Sequence, residues 1–185
     1  MNIHTHRFEI VGISPLLQNS AANLDNKAAK GKGGAYIPAE EARRVSYSTK
    51  DGLAFHPSMA FRKAILYAAG GKKFKKRSLR TIIASSTFVT NEETVLIDPK
   101  SKKPFKADAY EIDSRPVVRN KARVTCWRPR WNKWSAILEL DIDEDLIDPA
   151  VVEENLNEGG TMAGAGDYRP EKMGPFGRYT AKMLN

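Results

Sequence analysis

The chain has 185 residues, 41% of them hydrophobic, and carries 30 Lys and Arg against 22 Asp and Glu, which gives a net charge of +8 and a pI near 9.6. That length lets one domain bury an ordinary core without staples, and the composition excludes global disorder. The single cysteine, Cys126, excludes an internal disulfide; beside only His4, His6 and His56 it assembles no zinc set, so no metal or other cofactor is expected.

In chain order, residues 5–13 mix alternating polar and apolar positions with β-branched residues, which predicts an opening strand interrupted at Gly12 and Pro15. Residues 19–34 are small, polar and glycine-rich and predict a flexible loop. Its Lys27, Lys30 and Lys32 suit either a solvated connection or an arm that orders on nucleic acid. A short helix is expected at 38–44 and a turn at Lys50-Asp51-Gly52. Pro57 and a capping Ser58 then open a helix in which Phe61, Ile65, Leu66 and Ala69 recur at helical spacing up to Gly70-Gly71.

Residues 81–89 read as a strand or short helix, 94–98 as a strand, 98–105 as a basic hairpin tip and 109–127 as extended chain. Alternation at Trp134, Ala136, Leu138, Leu140 and Ile142 predicts a half-buried strand within 128–143. Residues 148–160 predict an acidic amphipathic helix with Val151, Val152 and Leu156 inward and Gly159-Gly160 as its stop. A glycine-rich loop, 159–178, leads into a terminal strand. Two helices separated by strand-rich segments fit an α+β, ferredoxin-like (RNA-recognition-motif-like) antiparallel sheet with helices on one face and a basic loop insertion, in one domain over 1–185.

Three groups of residues suit a polyanion. Between 61 and 80 stand eight basic residues, Arg62, Lys72, Lys73, Lys75, Lys76 and Arg77 among them, and no acidic one. Arg115, Arg119, Lys121, Arg123, Arg128 and Arg130 interleave with Trp127, Trp131 and Trp134, and on one strand Arg119, Lys121 and Arg123 would share a face along successive phosphates. In the glycine loop, Gly166, Gly174 and Gly177 would admit a close phosphate, Arg169, Lys172 and Arg178 supply donors, and Phe176 offers a stacking face. Trp127 or Trp131 is a candidate base contact and Trp134 a core residue. Catalysis has two weak candidates, Asp25 in the loop and His56 at a helix start. The acids of 139–158 lack calcium-loop periodicity and read as a solvated negative face.

The segments G-A-G-D-Y-R (164–169) and G-P-F-G-R (174–178) resemble the C-terminal glycine-rich motif of the repeat-associated mysterious protein (RAMP) superfamily. V-G-I-S-P-L-L-Q-N-S (11–20) is similar to that superfamily's first strand and turn, and G-L-A-F-H-P-S-M-A-F-R-K-A-I (52–65) to the strand-to-helix step of its backbone-forming branch. The resemblance implies a ferredoxin-like protein that binds single-stranded RNA, repeated along a CRISPR guide or, given the short chain, in a phage or mobile-element ribonucleoprotein. A RAMP-fold endoribonuclease and a phage inhibitor imitating a CRISPR subunit are the alternatives. Expected partners are single-stranded RNA or DNA and further copies of the chain or other subunits. The absence of a leader pattern and of any apolar run near the roughly 20 residues of a membrane helix predicts a cytoplasmic protein without membrane contact.

Overall fold

The computed structural model describes residues 1–21, 35–119 and 121–184; Asp25, Lys27, Lys30 and Lys32, and with them most of the expected 19–34 loop, lie outside the described residues. The chain opens with β1 (Ile3–Gly12), whose Phe8 and Ile10 are fully buried, and turns through Pro15 into the short β2 (Leu16–Leu17). Helix α1 (Pro38–Arg44) carries proline at its start, Glu40 and Glu41 in its first turn and Arg43 and Arg44 in its last, each charge matched to the helix dipole. Strand β3 (Phe55–Pro57) runs directly into α2 (Ser58–Ala68). Ser58 does not cap: its hydroxyl lies 2.7 Å from the Thr94 hydroxyl, so it ties the helix start to the sheet.

A two-residue hairpin follows, β4 (Lys73–Phe74) and β5 (Arg77–Ser78), then α3 (Leu79–Ser86). The apolar run at 81–89 is both of the expected elements in sequence, because α3 ends at Ser86 and β6 (Thr87–Val89) begins at once. Arg62 secures that junction by donating to the carbonyls of Thr87 at 2.9 Å and Ala84 at 2.8 Å. Strand β7 (Glu93–Ile97) is followed by β8 (Glu111–Arg119), β9 (Ala122–Trp131), β10 (Ser135–Asp143), α4 (Pro149–Met162) and β11 (Tyr179–Leu184).

The main sheet is antiparallel in the order β11-β1-β10-β7-β3, with β6 also on β10. The units β1-α2-β6 and β10-α4-β11 therefore interleave, with β1 and β10 side by side, which is the ferredoxin-like arrangement. One face of the sheet supplies Phe8, Ile10, Leu138, Leu140 and Tyr179 to a core shared with Phe61, Ile65, Val152 and Leu156 of the helices. Each such large side chain contributes about 1.5–3 kcal/mol through burial. Trp134 is fully buried, donates to the Ser14 carbonyl at 2.9 Å, and covers Gly12 so closely that a Cβ there would meet its indole nitrogen at 2.2 Å.

Two expectations are corrected. Gly159 and Gly160 do not stop α4; they sit inside it, buried. A Cβ on Gly159 would lie 2.4 Å from the Ala64 carbonyl of α2, and one on Gly160 2.3 Å from the Tyr179 carbonyl of β11, so these glycines let three elements close on each other. Residues 109–127 are not one extended run either. The chain reverses between Arg119 and Ala122, which pair, and β8 and β9 form a long hairpin that takes β2 as a third strand. Arg119 and Arg123 thus stand on different strands, with Lys121 in the turn at φ 64°, and do not share the face of one strand.

Candidate nucleic-acid interface

The face of the sheet away from the helices is not strongly basic. It carries Glu9, Glu139 and Asp141 beside Arg7 and Lys182, and its charges pair locally, Arg7 with Glu139 at 3.3 Å and Lys102 with Glu9 at 3.1 Å. A polyanion gains little there. The two basic constellations of the sequence meet elsewhere: the β8–β9 hairpin and the glycine loop, residues 163–178, form opposite walls of one groove of about 620 Å³.

Alternation along the hairpin decides which side chains face the loop. Asp113 and Arg115 on β8 stand opposite Arg128 and Cys126 on β9, on one face. Asp113 accepts from Arg115 at 2.8 Å and lies 3.3 Å from Arg128, and Arg128 donates in turn to Asp167 of the loop at 2.7 Å. Asp167 also accepts from Asn19 at 3.2 Å, which draws in the segment after β2. Arg128 and Asp113 are 3% and 5% exposed, so this chain of charges is a buried clamp. Burial alone would raise the Asp167 carboxyl, yet the hydrogen bond and charge of Arg128, helped by the Tyr168 N–H and Asn19, hold it below the usual carboxylate range. The guanidinium of Arg128 loses from burial, but the hydrogen bond and charge of Asp167 together with Cys126 and Asp113 hold it above its usual range.

A second tie is cationic and aromatic. Phe176 of the loop is 5% exposed, and its ring lies 4.6 Å from the Arg115 guanidinium and 5.9 Å from that of Arg130. The loop is further laced to the β1–β2 turn: the Gly177 N–H donates to Pro15 at 2.7 Å, the Asp167 N–H to Leu17 at 2.8 Å, and the Arg178 N–H to the Ser14 hydroxyl at 2.9 Å. Its glycines make room for the chain itself. A Cβ would lie 2.3 Å from the Leu17 carbonyl at Gly166, 1.8 Å from the Tyr168 carbonyl at Gly174 and 1.7 Å from the Ala165 carbonyl at Gly177, where φ is +69°.

The groove surface is formed by the accessible parts of these and neighbouring side chains. Lys172 is exposed, Arg115 is partly exposed above Phe176, and Tyr168, 41% exposed at φ 48°, lines the wall opposite Val117 and Val118. Lys121 and Arg123 extend the cationic surface at the end of the hairpin, and Arg178 is exposed where the loop leaves for β11. Trp131 is elsewhere: 2% exposed, it packs on Phe105 at 5.1 Å and Tyr110 at 5.8 Å. Arg169 is held by Glu171 at 2.9 Å and by the Gly166 carbonyl at 2.9 Å. Reading the sequence missed Asp113, Asp167 and Asn19; lone acids embedded in basic segments were the available signal.

The basic cluster of 61–80 forms a separate surface. Arg62 serves the α3 junction, and Lys72 bonds Glu158 and Asn155 of α4. Lys73, Lys75, Lys76, Arg77 and Arg80 are exposed and form no salt bridge with a described residue. His56 is 3% exposed and lies edge-on to Tyr47 and Phe61, with centroids 5.7 and 5.8 Å away. Burial, reinforced by the charge of Arg169, lowers its imidazole to about 3. Among the described residues no helix is long and apolar enough to cross a membrane.

No family model matches the sequence, and no curated protein matches it. Among solved structures the chain is similar to a Cas6 product complex, at 10% identity and a TM-score of 0.29, over 95% of this chain and 50% of that one. The chain spans half the length of that protein.

Proposed function

We propose that this protein binds single-stranded nucleic acid, RNA in the first place, in the groove between the β8–β9 hairpin and the glycine loop. The observation that carries the reading is the convergence itself: two sequence-distant basic segments are locked together by the Arg128–Asp113–Asp167 clamp, and cations and an aromatic ring remain on the groove they enclose. Arg115 and Lys172 would take phosphates, and Tyr168 offers a base a stacking face at a usual value of about 1–3 kcal/mol. A groove built this way follows backbone charge more than sequence. The RAMP resemblance of 11–20, 52–65 and 164–178 extends the reading to copies of the chain arrayed along one strand in a CRISPR-like or phage ribonucleoprotein. In this reading the protein holds its ligand without cutting it, and of the two catalytic candidates His56 is buried and far too weak a base near neutral pH to serve.

The test is a fluorescence-anisotropy titration of labelled single-stranded RNA at several salt concentrations. Log affinity is expected to fall linearly with log salt, by about 0.7 per phosphate contacted. Arg115→Gln with Lys172→Gln should weaken binding about tenfold and reduce the slope by about 1.4. A flat salt response, or an unchanged affinity in a well-folded double variant, would remove the groove from the reading; cleavage of the bound strand would install the endoribonuclease alternative.

A further inference from the structure

Next to the groove, the first turn of α2, Tyr47 and the Ala163–Asp167 segment enclose a second cavity of about 300 Å³, at the small end of the range that holds compact ligands. We infer that this cavity is a pocket for one nucleobase extruded from the strand in the groove, an assignment that rests on the nucleic-acid reading above.

Charge bookkeeping across the walls points to a ring rather than a phosphate. Arg169 is committed to Glu171 and the Gly166 carbonyl, and Asp167 to Arg128 and Asn19. Lys63 remains, exposed and in no salt bridge with a described residue, at the cavity edge. The interior is electrically balanced and the edge holds one cation, which complements an uncharged heteroaromatic ring bearing a single phosphate.

His56 supplies the second argument. Both of its ring nitrogens are buried without a hydrogen-bond partner among the described residues, a condition that costs about as much as a lost hydrogen bond and calls for an occupant. Its neutral ring has one donor and one acceptor to offer, and the heteroatom edge of a base supplies the partner once the Tyr47 ring, set edge-on at 5.7 Å, gives way. The third argument is continuity. Asn19 and Asp167 line both the cavity and the groove, so a strand in the groove passes one partition away from the pocket.

The experiment is calorimetric titration of the whole protein with the four nucleoside 5′-monophosphates, with ribose 5-phosphate and inorganic phosphate as ring-free probes, beside a single-stranded RNA 12-mer. At least one monophosphate is expected to bind ten times tighter than ribose 5-phosphate and, near saturation, to raise the melting temperature by a few degrees. His56→Phe and Lys63→Gln should each weaken that monophosphate about tenfold; Lys63→Gln is a surface change and keeps the test decisive if His56→Phe fails to fold. Monophosphates that bind no better than ribose 5-phosphate or phosphate, beside normal binding of the 12-mer, overturn the pocket and leave the groove standing. Monophosphate binding without 12-mer binding overturns the groove and with it the extruded-base assignment.

Discussion

The groove and the β4–β5 tip both carry basic side chains, and they hold them in different ways. At the groove Arg115 and Arg128 are anchored: Arg115 lies over Phe176 and reaches Asp113, and the hairpin that carries it is clamped to the loop through Arg128. At the tip Lys73, Lys75, Lys76 and Arg77 are exposed, and the backbone works against its own sequence: Lys75 and Lys76 take φ of 46° and 68°, values that suit glycine or asparagine. Arg80 adds a cation to the first turn of α3, where no acid balances the helix dipole. Charge held in place can orient a strand, whereas charge on a strained tip, without a salt bridge to a described residue, adds attraction without register.

The strongest way to break this contrast is Arg128→Met. It leaves the buried Asp113 with Arg115 alone and strips Asp167 of its ion pair, so stability should fall by about 3–5 kcal/mol and the melting temperature by roughly 10 °C. Replacing Lys73, Lys75 and Lys76 together by Gln should leave the melting curve within about 0.5 kcal/mol and lower only the salt-dependent affinity. Equal destabilisation by both changes would erase the distinction.

Gly177→Val tests the loop side of the same clamp. The new side chain meets the Ala165 carbonyl and a left-handed backbone, and about 2–4 kcal/mol of stability should be lost in denaturant unfolding. A variant that melts like the parent and loses only RNA binding would show that the glycine serves the ligand and not the fold.

Acid sharpens the comparison further. The unfolded His56 takes up a proton below about 6.5, whereas the folded one does so only near 3, so stability should decline as pH falls from about 6.5, at most about 1.4 kcal/mol per pH unit. Asp167, held low by Arg128, adds its loss only below the ordinary carboxylate range, about 3.9, as pH approaches its folded value. His56→Phe should flatten the first limb between pH 6.5 and 4.5, while binding through the lysine tip stays level over that window. An unchanged acid limb in His56→Phe would assign it to other groups.

The smallest effect is expected at the tip itself. Lys76→Gly relieves one left-handed lysine and should raise stability by up to about 1 kcal/mol, read from the unfolding midpoint, with no change at the groove.

What the sequence disclosed follows how local each feature is. Helix α2 and strand β10 were legible because burial repeats along them with the period of the element, as at Phe61 and Ile65 or Leu138 and Leu140. The β8–β9 reversal was not, since no glycine or proline stands between Arg119 and Ala122 to announce it. Gly159-Gly160 looked like a terminator because its reason is a tertiary approach, to Ala64 and Tyr179, that no window of sequence contains. The groove's residue types were visible, but its clamp depended on Asp113 and Asp167 meeting one arginine across 54 residues of chain, and its aromatic tie on a buried Phe176 read instead as a stacking face.

The glycine pair in α4 also makes that helix depend on its neighbours. Two interior glycines cost a helix about 1 kcal/mol each, and a segment of 14 residues is marginal in water even without them. Helix α4 therefore gains its stability on docking against α2 and β11. The loop that walls the groove departs from the end of that helix, so the groove is complete only while α4 is docked.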